Sequence, residues 1–203
     1  MMKKLSLFMV ALTLIFATSC KNDKKKDGEM DNQQTEMGSD MESDMSTNSD
    51  TAEAKKVVVE IASKSGSDIS GQVVFTEENG EVTMVATIEG LAEGTHAIHI
   101  HETADCSSPD GKSAGGHWNP TFQPHGKWGS EKGYHKGDIG NFEANDDGMA
   151  KISMTTNEWC IGCGDEKKDI LGHAIIVHDG VDDFVSQPSG AAGSRIGCGI
   201  IKM

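Results

Sequence analysis

The segment HAIHIHE, from His96 to Glu102, indicates both the fold and the chemistry of this chain. Its last two histidines, His99 and His101, alternate with isoleucines. Neighbouring side chains of a β-strand leave opposite faces, so the isoleucines would enter a core while both imidazoles share the other face. Two imidazoles at this spacing can chelate one metal ion. The segment therefore predicts a strand that carries part of a metal site.

Seven further short runs recur along the chain, most of them with β-branched residues, separated by turn residues. They are Lys56 to Ile61, Ser70 to Thr76, Val82 to Ile88, Asn141 to Ala144, Met149 to Thr155, His173 to His178 and Ile196 to Ile201. Eight short strands with no convincing amphipathic helix predict an all-β sandwich or barrel. The turns Glu78-Asn79-Gly80 and Asp146-Asp147-Gly148 predict two hairpins, because Asn-Gly and Asp-Gly pairs accept positive φ.

Two stretches are too long for ordinary connections between strands. One runs from Glu102 to Gly140 and the other from Asp179 to Ser194. Long loops in a compact domain are normally functional or disordered, and these carry ligand-type residues at close spacing. We therefore expect two long functional loops, ordered by a bound ion.

The N-terminal residues 1–19 have the order of a signal peptide of the lipoprotein type. Lys3 and Lys4 precede an apolar run, and Cys20 follows small residues, which resembles a bacterial lipobox except that Ala17 stands where leucine is usual. We expect export to the cell envelope, in the periplasm or on the outer surface, with a membrane anchor of lipid at Cys20. The alternatives are plain secretion and a retained anchor.

Residues 20–54 have the composition of a disordered, acidic tether, because they lack aromatic and branched aliphatic side chains. Four methionines lie in this segment and are either part of a flexible spacer or soft ligands for Cu(I): Met30, Met37, Met41 and Met45. Residues 55–203 then form one domain, whose 12 basic and 22 acidic side chains give a net charge of −10. This charge argues against nucleic acid and anionic lipid surfaces as partners.

Further donor atoms follow the first pair of histidines. His117, His125, His135 and Asp138 lie within one loop, and three nitrogens with one carboxylate oxygen suit tetrahedral Zn²⁺ in a closed, structural site. His178 ends another apolar strand and is a third candidate nitrogen for the ion at His99 and His101. Histidines in a glycine-rich loop are also compatible with solvated polar residues, and the strand pair favours metal binding.

The segments HAIHIHE, SAGGHWNP, HKGDIGNF, IIVHDGVDDF and GAAGSRIGCGII together resemble the copper/zinc superoxide dismutases. The resemblance extends from about Lys56 to the C-terminus, with the motifs in family order. It implies an eight-stranded antiparallel Greek-key barrel or sandwich, immunoglobulin-like, with two long functional loops. It also implies dismutation of superoxide to dioxygen and hydrogen peroxide, with one copper and one zinc ion per subunit, and it allows a homodimer.

The same resemblance assigns roles to individual residues. Copper would be bound by His99, His101, His117 and His178, and zinc by His117, His125, His135 and Asp138. His117 would bridge the two ions and transfer a proton, and Asp182 would link a zinc histidine to a copper histidine, with Asp183 the weaker candidate. Arg195 would receive the anionic substrate, and Cys106 and Cys198 would form a disulfide.

Three points stay open on the sequence alone. Cys160 and Cys163 form a CxxC outside the usual family pattern, and they suit a local disulfide, a redox-active pair or a soft-metal site. Because the net charge repels superoxide, any steering must be local, by Arg195 and by three loop lysines, Lys127, Lys132 and Lys136. The competing function is a catalytically silent dismutase-like lipoprotein that binds or carries copper and zinc.

Overall fold

The computed structural model describes residues 54–203, so the expectations for residues 1–19, for Cys20 and for nearly all of the tether lie outside the described residues. Within this part of the chain are eight strands and one short 3-10 helix, Lys112–Ala114. The strands are β1 (Lys55–Ser63), β2 (Ser70–Glu78), β3 (Glu81–Glu89), β4 (Gly94–His101), β5 (Gly140–Ala144), β6 (Ala150–Thr156), β7 (Ala174–His178) and β8 (Arg195–Ile200). Residues 54–203 include no helix with the length and apolar character needed to cross a membrane.

All strand pairs are antiparallel, and the eight strands follow the order β5-β4-β7-β8-β1-β2-β3-β6. Two four-stranded halves meet where Ala62 and Ser63 of β1 pair with Cys198 and Gly197 of β8. The result is a nearly closed Greek-key barrel, which confirms the predicted fold class. All eight predicted strands are present, with ends that differ by one or two residues.

The core follows the alternation of the strands. In β3, the side chains of Val82, Met84, Ala86 and Ile88 are all fully buried, whereas the residues between them are half-buried or exposed. Removing alternate apolar side chains from water is the main favourable term that holds the barrel together. Strand β4 departs from this pattern, since His99 and His101 are as buried as the isoleucines beside them. The long loops therefore cover its outer face.

One of the two predicted hairpins is confirmed and the other is wrong. Asn79 and Gly80 have φ angles of 52° and 80°, and they close a hairpin between β2 and β3. The segment around Gly148 is also a tight turn, with its amide 2.9 Å from the Asn145 carbonyl. It joins β5 to β6, however, and these strands lie at opposite ends of the sheet order. Each strand pairs with another neighbour instead, so this turn crosses between the two halves of the barrel.

Two disulfides differ in the length of chain that they close. Cys106 and Cys198 connect the first long loop to β8 across a separation of 92 residues. Cys160 and Cys163, three residues apart, form the second bridge, which is the local disulfide among the alternatives for the CxxC. A cross-link that closes a longer loop removes more entropy from the unfolded chain.

We therefore predict unequal losses of stability on removing each bridge. The Cys106→Ala/Cys198→Ala variant should lose about 4–5 kcal/mol of the free energy of unfolding, and Cys160→Ala/Cys163→Ala about 2 kcal/mol. Urea denaturation of the metal-free proteins measures both values. Equal losses would contradict the loop-closure argument.

Candidate metal centre

Strand pairing brings the first group of histidines together. Strand β4 pairs with β7, which places His178 at the end of β7 near His99 and His101. His117 reaches the same place through an isolated bridge with His101, supported by the Trp118 amide donating to the Ile100 carbonyl at 2.8 Å. All four imidazoles are buried, and one nitrogen of each lies within 4.8 Å of the others.

The second group lies in the first long loop. Nitrogens of His117, His125 and His135 approach the carboxylate of Asp138, at 2.8, 3.0 and 3.1 Å. Asp138 is fully buried, and its Oδ2 also accepts the backbone amides of Gly126 and His135. The loop thus folds around one carboxylate, and His117 belongs to both groups.

Unpaired ring nitrogens show that these groups suit metal ions. Within residues 54–203, seven buried imidazole nitrogens have no hydrogen-bond partner: His99 Nδ1, His101 Nε2, His117 Nε2, both ring nitrogens of His178, His125 Nδ1 and His135 Nδ1. Buried polar atoms without partners cost free energy and are rare in native structures. The first five belong to histidines of the first group. The last two belong to the second group and lie 3.0 and 3.1 Å from Asp138 without forming a hydrogen bond. Nitrogen donors suit copper, and the mixed nitrogen and oxygen group suits zinc.

Asp182 connects the two groups by accepting a hydrogen bond from one histidine of each. Its Oδ2 accepts from His99 Nε2 at 2.9 Å, and its Oδ1 accepts from His125 Nε2 at 2.8 Å. These bonds fix the tautomer of each ring and leave Nδ1 of both free for a metal. The structure thus gives Asp182 the predicted contacts, whereas Asp183 binds Ser186 and is exposed.

Two residues that sequence reasoning missed hold Asp182 in place. Asn141 exchanges two hydrogen bonds with the Asp182 backbone, both of 2.8 Å. Gly190 lies so close that a Cβ atom there would stand 1.8 Å from Asp182 Oδ1, and its φ is 66°. Neither residue stands out in the sequence, because the first lies in a strand and the second among several loop glycines.

Burial sets the charge state of most of the histidines. Loss of hydration lowers the pKa of His117 to about 4 and that of His178 to about 2, so both rings are neutral at pH 7, as metal binding requires. Burial also opposes protonation of His125, but its two carboxylate neighbours outweigh that effect and raise its pKa to about 9. A metal ion at Nδ1 would take the place of that proton.

Arg195 lies beside the first group because of strand register. It pairs with His178 at an irregularity in the β7–β8 ladder, and its guanidinium donates to the Gly111 carbonyl at 2.9 Å. Lys64, which sequence reasoning missed, packs near the same glycine. Its ammonium donates to the Cys106 carbonyl.

The remaining candidates belong to neither of the two groups. Lys136 is paired with Glu158, which offsets much of its charge and makes it a weaker candidate for steering than Lys127 and Lys132. His96 and His173 contact backbone carbonyls, as expected for structural histidines. Both cysteines of the CxxC lie near Asp169, but the carboxylate already accepts the amides of Gly162 and Gly164.

Together the barrel and its loops define a metalloprotein with two adjoining sites that share one imidazole. Comparison with known proteins agrees: the profile of the copper/zinc superoxide dismutases (SODC) matches residues 69–201. Superoxide dismutase (Cu-Zn) 2 of Aquifex aeolicus (strain VF5) is 34% identical over 151 residues, covering 72% of this chain and 86% of that protein. Superoxide dismutase (Cu-Zn) 1 of the same strain is 35% identical over 156 residues, covering 74% and 90%.

A solved structure gives the same result. The crystal structure of a double mutant of a SOD-like protein from Bacillus subtilis superposes with a TM-score of 0.63 at 33% identity, covering 70% of this chain and 94% of that one. The chain belongs to the copper/zinc superoxide dismutase family. It is accordingly an oxidoreductase that dismutates superoxide, with copper and zinc as cofactors.

Loss of the Asp182 carboxylate should weaken metal binding in both groups. Residues that orient metal ligands typically contribute about ten- to hundredfold to metal affinity, so we expect losses of that size in Asp182→Ala. Chelator competition on the purified variant measures the two affinities. Asp183→Ala is the matched control and should bind both metals as the wild type does.

Proposed function

We propose that copper is held by His99, His101, His117 and His178, and zinc by His117, His125, His135 and Asp138. The single observation that supports this assignment best is the set of seven buried, unpaired nitrogens, which divides between the two groups. Copper supplies one-electron exchange when bound, whereas zinc has no redox chemistry. Four protein ligands leave the zinc no open position, as in a structural site.

His117 is the proposed bridge and proton donor. Its Nδ1 is 2.8 Å from Asp138 Oδ1, and its Nε2 is buried without a hydrogen-bond partner, which leaves it free for the copper. Dismutation of two superoxide ions consumes two protons, and an imidazole nitrogen facing the reaction site can hold one of them. The contact with Asp138 keeps the ring oriented while Nε2 gains and loses that proton.

Arg195 is the proposed binding residue for the anionic substrate. The domain carries a net charge of −10, so attraction must arise close to the copper group. A guanidinium provides both charge and fixed hydrogen-bond donors, and the bond to Gly111 orients it. Lys64 adds a second positive charge nearby, while Lys127 and Lys132 are the loop lysines left as candidates for steering.

The competing hypothesis is a catalytically silent protein that binds or carries copper and zinc. No observation favours it. A silent domain would be expected to lack a copper ligand or the arginine. All six ligand histidines, Asp138 and Arg195 are present, and the histidines and the aspartate lie in two compact groups.

Superoxide consumption by the metal-loaded protein tests the residue roles. We expect the wild type to accelerate dismutation, His117→Ala to lose most of the acceleration, and Arg195→Met to lose at least about tenfold in rate at low ionic strength. Metal analysis of each sample accompanies the assay. A fully metallated wild type that does not consume superoxide would contradict catalysis.

We also propose that the mature protein is anchored to a membrane of the cell envelope by lipid at Cys20. The support is the order of residues 1–20, a charged start, an apolar run and small residues before a cysteine. Palmitate labelling in cells should mark the wild type and not Cys20→Ala, which should leave the membrane fraction. Equal labelling would refute the anchor. Light scattering on the released variant tests the homodimer that the family resemblance allows.

A further inference from the structure

The residues on either side of His135 are held by one carboxylate. The Tyr134 hydroxyl donates to Glu158 Oε1 at 2.6 Å, and the Lys136 ammonium donates to Oε2. His135, between them, faces the opposite way, with its Nδ1 3.1 Å from Asp138 Oδ1. Glu158 thus holds both neighbours of a proposed zinc ligand while the ligand itself faces the site.

The next residue along the chain, Trp159, holds the backbone at the same point. Its indole nitrogen donates to the Lys136 carbonyl at 2.9 Å. Only 1% of Trp159 is exposed, and its ring packs edge-on against Phe75 of β2 and Trp128 of the first long loop. Because the core fixes the indole, the carbonyl next to His135 is fixed as well.

The segment that carries Glu158 and Trp159 is itself attached to the barrel. The Cys160–Cys163 disulfide follows directly. The amide of Ile161 donates to Glu77 Oε2 of β2 at 2.8 Å, and the Lys55 ammonium donates to the carbonyl of Ile161 at 2.7 Å. These contacts give the two residues a rigid base, which an irregular loop on its own would lack.

We propose that Glu158 and Trp159, together called the brace, are positioning residues that slow the loss of zinc. The inference rests on the proposed zinc assignment. A metal ion leaves a four-ligand site after one ligand swings away, and His135 can swing only if the backbone around it moves. The brace opposes that movement from both sides of His135. Between Trp118 and Asp138 the chain forms no strand or helix. The same contacts explain why this irregular loop still holds its ligand residues in one fixed arrangement.

The rate of zinc release to a chelator tests the brace. The full chain, loaded with copper and zinc, is compared with Glu158→Ala, Trp159→Phe and Tyr134→Phe. We expect Glu158→Ala and Trp159→Phe to release zinc about ten- to hundredfold faster, as for other residues that orient ligands, and Tyr134→Phe to show a smaller increase. Glu60→Ala is the matched control, because Glu60 also binds a neighbouring side chain, Gln72, but lies on β1.

Two further measurements separate positioning from general stability. The melting temperatures of metal-free Glu158→Ala and Glu60→Ala should agree within about 4 °C. Cobalt(II) in the zinc site should give altered visible absorption bands in Glu158→Ala and unaltered bands in Glu60→Ala. A drop in melting temperature with an unaltered cobalt spectrum would overturn the positioning role.

His135→Ala keeps the two proposals distinguishable. If it releases zinc rapidly while both brace variants release zinc at the wild-type rate, the brace inference is wrong and the zinc assignment stands. If His135→Ala itself releases zinc at the wild-type rate, the zinc assignment is wrong, and the brace inference fails with it.

Discussion

The burial of ligand nitrogens that have no hydrogen-bond partner is the constraint on which the rest of this structure depends. Seven such atoms lie among the buried histidines of residues 54–203, and each lowers the stability of the metal-free fold. The barrel core, the two disulfides and the hydrogen bonds of Asp138 and Asp182 must offset that cost. Metal binding then satisfies the same atoms, which makes metal affinity and folding stability parts of one free energy.

Much of the fold follows from sequence because its strands obey a simple alternation. The alternation at HAIHIHE predicts β4, and comparable runs predict the other seven strands within one or two residues. Which strands pair with each other is harder to predict from the sequence. The turn at Asp146-Asp147-Gly148 has the residues of a hairpin, yet its two strands pair elsewhere, because closure of the barrel satisfies their backbones with other partners.

The candidate site also has a part that the sequence predicts and a part that it does not. Residue type and resemblance predict the ligands, which the structure brings into two groups. Residues that act on a backbone or through an absent side chain were missed: the Asn141 side chain binds the main chain of Asp182, and Gly190 leaves space for the Asp182 carboxylate. Lys136 shows the converse limit of sequence, since its charge suggested steering while the partner that offsets that charge, Glu158, lies 22 residues away.

The ladder irregularity at His178 has a consequence for how this family can vary. Strand β8 places Arg195 opposite His178, although Gly197 pairs with the preceding Val177. This shift means that β8 has one extra residue at this point. An extra residue in one strand redirects side chains that would otherwise alternate regularly between the two faces of the sheet. The placement of the Arg195 backbone beside His178 is therefore a property of two paired strands. Insertions and deletions between Asp179 and Ser194 can reshape the approach to the proposed copper site while the backbone of the arginine proposed to meet the substrate keeps its place.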